Sequence, residues 1–255
     1  MTETNINIAV LIDGDNAQAK LLKHMLEEVS KYGKATIRRI YGDWTTPHMN
    51  SWKESLNQYS INPIQKFSYT TGKNSTDSSL IIDAMDILHG QSADGFCIVS
   101  SDSDYTGLAK RIREEGLFVM GIGRRNTPIA FVNSCEVFTF SENLLPPANP
   151  LVPETSSTKS TAKKPDSSKA KKLSSNKEFP KVEKINIDKA FEISSSEEGG
   201  TYISKVGLAL RKIDPSFDPR TYGFKTLTQL FESLEKYVVV KNEVNGLNHP
   251  LVKLK

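Results

Sequence analysis

An apolar run that stops abruptly at a carboxylate sets the frame for this chain. Ile8-Ala-Val-Leu-Ile12 is followed at once by Asp13-Gly-Asp-Asn16. A strand with no polar alternate face has to be covered on both sides, as in a parallel sheet between two helical layers. In such sheets the crevice beyond the carboxyl ends of the strands is where ligands sit, so Asp13 is expected at a functional edge.

The next 130 or so residues repeat that grammar. A helix is expected over 17–29, with Leu21, Leu22, Met25, Leu26 and Val29 on one face and Asn16 as a candidate cap. A strand over 35–41 precedes Thr46-Pro47, a cap-then-proline helix start. Pro63 places the strand over 61–67 at a sheet edge, because it cannot donate to a ladder. After a helix over 77–88, the run Gly95-Phe-Cys-Ile-Val-Ser100 is again apolar and again broken by acids, in Ser101-Asp102-Ser103-Asp104. A helix over 105–115 ending at Gly116, a strand over 117–122, a short helix over 128–134 and a strand over 137–140 complete the pattern. Strand and helix alternating in this way predict an α/β fold, a mostly parallel sheet with helices on both faces.

The character changes at Pro146. Residues 146–178 are Pro, Ser, Thr and Lys with almost no large apolar side chain, the composition of a disordered linker. Beyond it, helices expected over 185–193, 203–210 and 227–234 precede apolar strands at 237–241 and 251–254 around Asn245-Gly246. Three helices and a hairpin make a small winged-helix (α+β) domain. The expected organisation is therefore 1–145, 146–178 and 179–255. Charge divides along the same line: residues 1–150 carry 14 Lys+Arg against 17 Asp+Glu, and the remainder 19 against 13. An acidic first part joined to a basic second part suits a polyanionic partner. Cys97 and Cys135 form no CxxC or metal-ligand spacing and are read as reduced core residues. No apolar run approaches 18 residues and the first residues lack a leader pattern, so a cytoplasmic protein with no membrane partner is expected.

Asp13, Asp77, Asp102 and Asp104 share one kind of position, a strand end or the first turn of the next helix. If the first and fourth strands are neighbours, these acids gather at one edge. Unpaired carboxylates that close repel unless a proton or cation sits between them. Hard oxygen donors without His or Cys favour Mg²⁺ or Mn²⁺, which can serve phosphodiester hydrolysis. Each residue also has a structural alternative: Asp77 and Asp104 as complements to helix dipoles, Asp102 and Asn16 as caps. Asp15 and Asp83 are weaker candidates, since Asp83 does not share a helical face with Asp77.

Asp13-Gly-Asp-Asn16, Lys73-Asn-Ser-Thr-Asp77 and Val99-Ser-Ser-Asp102-Ser-Asp104-Tyr105 resemble the three motifs of NYN domains, a PIN-like ribonuclease fold of the LabA-like, DUF88 type. The resemblance covers about residues 5–142, with Ser101 standing where the family usually has glycine. It implies that Asp13, Asp77, Asp102 and Asp104 are metal or catalytic residues, with Asn16 in support and Mg²⁺ or Mn²⁺ as cofactor. The C-terminal part is similar to the OST-HTH or LOTUS module, through Gly200-Thr-Tyr-Ile-Ser-Lys-Val-Gly207 and Arg220-Thr-Tyr-Gly-Phe-Lys-Thr-Leu227. That resemblance implies RNA binding and makes Lys205, Arg211, Lys212, Arg220, Tyr222, Lys225 and Lys241 candidate contacts. Lys73, Arg124 and Arg125 are candidates to grip RNA beside the acids. The expectation is a metal-dependent ribonuclease with an RNA-tethering module, a protein partner for that module and a homodimer being further expectations. The alternatives are a non-catalytic RNA-binding regulator and, from another class, a phosphatase with Asp13 as nucleophile.

Overall fold

A computed structural model of the chain describes residues 6–67, 75–145, 179–180, 182–195, 200–244 and 247–255. The strands β1 (Ile6–Asp13), β2 (Gly33–Gly42), β3 (Asn62–Gln65), β4 (Gly95–Val99), β5 (Phe118–Gly123) and β6 (Val137–Phe140) form one parallel sheet in the order β3-β2-β1-β4-β5-β6. The helices are α1 (Leu22–Val29), α2 (Lys53–Tyr59), α3 (Ser75–His89), α4 (Thr106–Glu114) and α5 (Ile129–Ser134). β3, with its proline, lies at one edge as expected, and β6 at the other.

The alternation of β1 decides which residues serve which layer. Ile8, Val10 and Ile12 pack with Leu22, Met25 and Trp52 on one face. Ala9 and Leu11 pack with Leu80, Ala84, Phe96, Ala109 and Phe131 on the other. Asp13 continues the odd-numbered row, so its side chain belongs to the face covered by α3 and α4. The chain reverses direction across the sheet between β1 and β4, because β1 is followed by β2 on one side and β4 lies on the other. Asp13 and the residues after Val99 therefore border the switch-point crevice of the sheet.

One local expectation is corrected. The first helix does not begin at residue 17 under an Asn16 cap. A turn follows Asp13, held by the Asn16 and Ala17 N–H groups donating to the Asp13 carbonyl, then a 3₁₀ turn at Ala19–Leu21, and α1 starts at Leu22. The Asn16 side chain is drawn back to the Asp13 carboxylate instead of forward to the helix.

The second domain packs α6 (Lys184–Ser194), α7 (Ile203–Ile213) and α8 (Leu227–Glu232) around Ile187, Phe191, Val206, Leu210, Leu230, Phe231 and Val252. The expected hairpin is β8 (Tyr237–Val240) against β11 (Leu251–Leu254), and β11 also pairs with β7 (Gly200–Tyr202), too short for periodicity to reveal. A short antiparallel pair, β9 (Glu243–Val244) with β10 (Leu247–Asn248), extends the wing, while Asn245-Gly246 lies outside the described residues, as do 146–178 and Lys73. No helix among the described residues is long and apolar enough to cross a membrane. Cys97 and Cys135 are both free and buried, and burial pushes the Cys135 thiol up to about 12.

Candidate active site at the carboxyl edge of the sheet

Three carboxylates meet at the switch point. Asp77, Asp102 and Asp104 each offer an oxygen, and these atoms lie within 4.8 Å of one another. Asp77 stands in the first turn of α3. Asp102 caps a 3₁₀ turn, Ser103–Tyr105, by accepting the Asp104 N–H at 3.0 Å. Asp102 thus both caps this turn and belongs to the cluster.

Asp13 sits beneath this trio, 1 % exposed. Its carboxylate accepts the Ser100 hydroxyl at 2.9 Å, the Asn16 side-chain amide at 3.1 Å and the N–H groups of Asp15 and Asn16 at 3.2 and 3.3 Å. Burial raises its pKa, against the Ser100 and Asn16 hydrogen bonds, and the negative charge of Asp77 adds to the rise. The three-way convergence does not include Asp13, although Asp13 feels the charge of Asp77 and its own charge bears on Tyr105.

Two residues of the third motif that were not among the candidate site residues tie the acids together. Ser100 donates to Asp13 and accepts the Asp102 N–H at 3.1 Å, linking the ends of β1 and β4 through one hydroxyl. Tyr105, wholly buried, donates its hydroxyl to Asp77 at 2.7 Å. Burial raises Asp77; the Tyr105 bond opposes that, and Asp102, Asp104 and Asp15 add to it. The available signal was the invitation of Ser100 and Tyr105 on either side of Ser101-Asp102-Ser103-Asp104, but their depth is set by packing. Asp83 faces a different cluster, accepting from Arg39 and from the buried Tyr41 hydroxyl.

The basic candidates separate into two groups. Arg124 lies exposed at the rim, its N–H donating to Ser101 Oγ at 2.8 Å and its guanidinium to the Asn16 carbonyl at 3.3 Å. The serine in the usual glycine position thus shapes the rim. Lys205, Lys212, Lys225 and Lys241 are exposed on the second domain. Arg211 and Arg125 are exposed, whereas Arg220 and Tyr222 are only partly so, and all four have partners within the chain. Arg220 is clasped between Asp218 and Glu28, and Arg211 lies over the Tyr32 ring. Tyr222 is half-buried beside Phe217, and Arg125 donates to Asn143 at 3.2 Å.

Hard carboxylate oxygens gathered at this spacing are the donor set for Mg²⁺ or Mn²⁺, and the residues present fit such an ion. A family profile for the NYN domain matches residues 7–142, and one for the OST-HTH/LOTUS domain matches residues 187–249. Among solved structures, the chain is similar to a protein of unknown function, VPA0982, from Vibrio parahaemolyticus RIMD 2210633, with 17% identity and TM-score 0.46 over 55% of this chain and 95% of that one. It is also similar to an uncharacterized protein from gene locus NE0665 of Nitrosomonas europaea, with 23% identity and TM-score 0.28 over 41% of this chain and 92% of that one. No curated protein matches the sequence. With more than half its length matched and the three acid-bearing motifs at one sheet edge, the chain belongs to the NYN domain family, in the PIN-like α/β fold, and carries an OST-HTH/LOTUS domain after it.

Proposed function

We propose that this protein is a divalent-cation-dependent ribonuclease whose cation is held by Asp77, Asp102 and Asp104. The observation that carries the reading is the approach of these three carboxylates to within 4.8 Å of one another. NYN domains are generally nucleases, and the OST-HTH/LOTUS domain suggests RNA as the polymer. A cation bound there supplies the positive charge and the acidity that in-line hydrolysis of a phosphodiester requires. The protein's own groups hold that arrangement: Tyr105 fixes the Asp77 carboxylate, Ser100 joins the two strand ends, and Asn16 keeps Asp13 in place beneath them. Arg124 at the rim and the exposed Lys205, Lys212, Lys225 and Lys241 contact the RNA backbone. Lys73 remains a candidate from the motif alone. Asp13 as a phosphatase nucleophile is disfavoured, because it is 1 % exposed and its oxygens already accept four hydrogen bonds.

The test is cleavage of end-labelled single-stranded and structured RNA with Mn²⁺, Mg²⁺ or EDTA, beside Asp77→Asn and Asp102→Asn. Loss of cleavage in EDTA and in both variants, with RNA binding retained, supports the reading. Equal residual cleavage in all samples rejects it and leaves an RNA-binding regulator.

A further inference from the structure

Three of the residues that the sequence offered as RNA contacts, Arg211, Arg220 and Tyr222, fall in one segment that runs from the last turn of α7 toward α8, and that segment faces the NYN domain. Four contacts of different kinds reach it from four places. The Arg220 guanidinium donates to both oxygens of Glu28, at the end of α1, each at 3.0 Å. Arg211 lies over the ring of Tyr32, its guanidinium carbon 5.6 Å from the centroid. The Phe138 N–H on the edge strand β6 donates to the Pro215 carbonyl at 2.8 Å. The Asn143 side-chain amide donates to the Thr221 hydroxyl at 2.8 Å.

The centre of this contact is constructed for its partner. Glu28 is 5 % exposed, and a carboxylate so buried is costly unless it is paired. Its partner is preorganised: Asp218 caps the 3₁₀ turn Pro219–Tyr222 through the Arg220 N–H and accepts the Arg220 Nε at 3.0 and 2.9 Å. The guanidinium is thereby aimed before it meets Glu28, and Lys31 completes the carboxylate at 2.7 Å. The Pro215 carbonyl also satisfies a donor on an edge strand that would otherwise face solvent.

From these contacts we infer that the segment 211–222 is a docking element by which the C-terminal domain binds in cis to the NYN domain, along β6 and the end of α1, with the Arg220–Glu28 pair as its clamp. The docked domain is thereby joined to the rim of the acid cluster, through Thr221 to Asn143, Asn143 to Arg125, and the neighbouring Arg124 to Asn16. Arg220 and Arg211 serve the chain itself and not RNA. This inference stands apart from the ribonuclease reading, because it needs neither metal nor RNA.

The test uses the full chain carrying Asn143→Cys and Thr221→Cys, treated at high dilution with a short bismaleimide, while the native cysteines stay buried. Intramolecular cross-linking is measured by mass and gel mobility against a control pair, Lys53→Cys with Thr221→Cys, which places one thiol on α2 near the opposite sheet edge. Docking predicts rapid cross-linking of the first pair and at least tenfold slower reaction of the control. Adding Glu28→Gln or Arg220→Gln to the first pair lowers its rate about tenfold, and adding both lowers it no further. Small-angle scattering of the Arg220→Gln protein without added cysteines then gives a larger radius of gyration than the native chain. Cross-linking of the first pair at the control rate, or a rate untouched by Arg220→Gln, overturns the inference.

Discussion

Tyr105 shows how much a single buried hydroxyl can control. It is wholly buried yet points at Asp77, so Tyr105→Phe keeps the packing and removes only the hydrogen bond. Groups that orient metal ligands typically matter by about 10- to 100-fold in metal affinity. Tyr105→Phe is therefore expected to weaken Mn²⁺ binding by about tenfold, measured by calorimetric titration, with the fold unchanged by circular dichroism. Ser100→Ala removes two bonds at once and leaves Asp13 short of a donor, at a cost of about 1–3 kcal/mol in unfolding by urea. The clustered acids also predict a cation effect on stability that needs no substrate. Saturating Mn²⁺ raises the melting temperature of the native chain, by about 2.7 kcal/mol of stabilisation at a concentration 100 times Kd. The same addition has little effect on Asp102→Asn, and an equal rise in both proteins would place the ion elsewhere.

At the scale of elements, β5 and β6 approach so closely that only hydrogen fits at Gly121. A Cβ there meets the Phe138 ring at 2.4 Å and Cys135 Sγ at 3.0 Å. Gly121→Ala is expected to destabilise the NYN domain by about 1–3 kcal/mol, read from its chemical unfolding midpoint, because neither the ring nor the thiol lies on an exposed flexible arm. In the second domain, α6 is tied to the wing by Asp188, which accepts from Lys236 at 2.8 Å and from the Tyr237 hydroxyl. Partial burial alone would raise its pKa, but the Lys236 and Tyr237 bonds outweigh it and hold the carboxyl below its usual range. A carboxyl with a lowered native pKa stabilises fully above its unfolded value, near 3.9, and loses that contribution as pH falls through the native one. Asp188→Asn should therefore leave a second domain that is weaker at neutral pH and less sensitive to acid below about pH 4. Amide NMR signals of that domain during an acid titration of the full chain check it.

For the whole molecule, the Arg220–Glu28 contact makes the two domains report on one another. Calorimetry of Arg220→Gln should show the unfolding of the two domains further separated in temperature than in the native chain. Much of this architecture was legible beforehand, for local reasons. The apolar block Ile8–Ile12, the proline in β3 and the acids after two buried strands each express a period or a backbone constraint carried by adjacent residues. The motif acids Asp77, Asp102 and Asp104 were likewise visible, because each stands at an element boundary. What the sequence by itself determined was the order of elements, the family and the candidate acids. Only the tertiary structure decided that Asp13 lies beneath the cluster, that Ser100 and Tyr105 hold it, and that Arg220 meets a glutamate 192 positions away. A basic residue has the same sequence signature whether it meets phosphate or carboxylate, and the difference lies in which charge the fold brings to it.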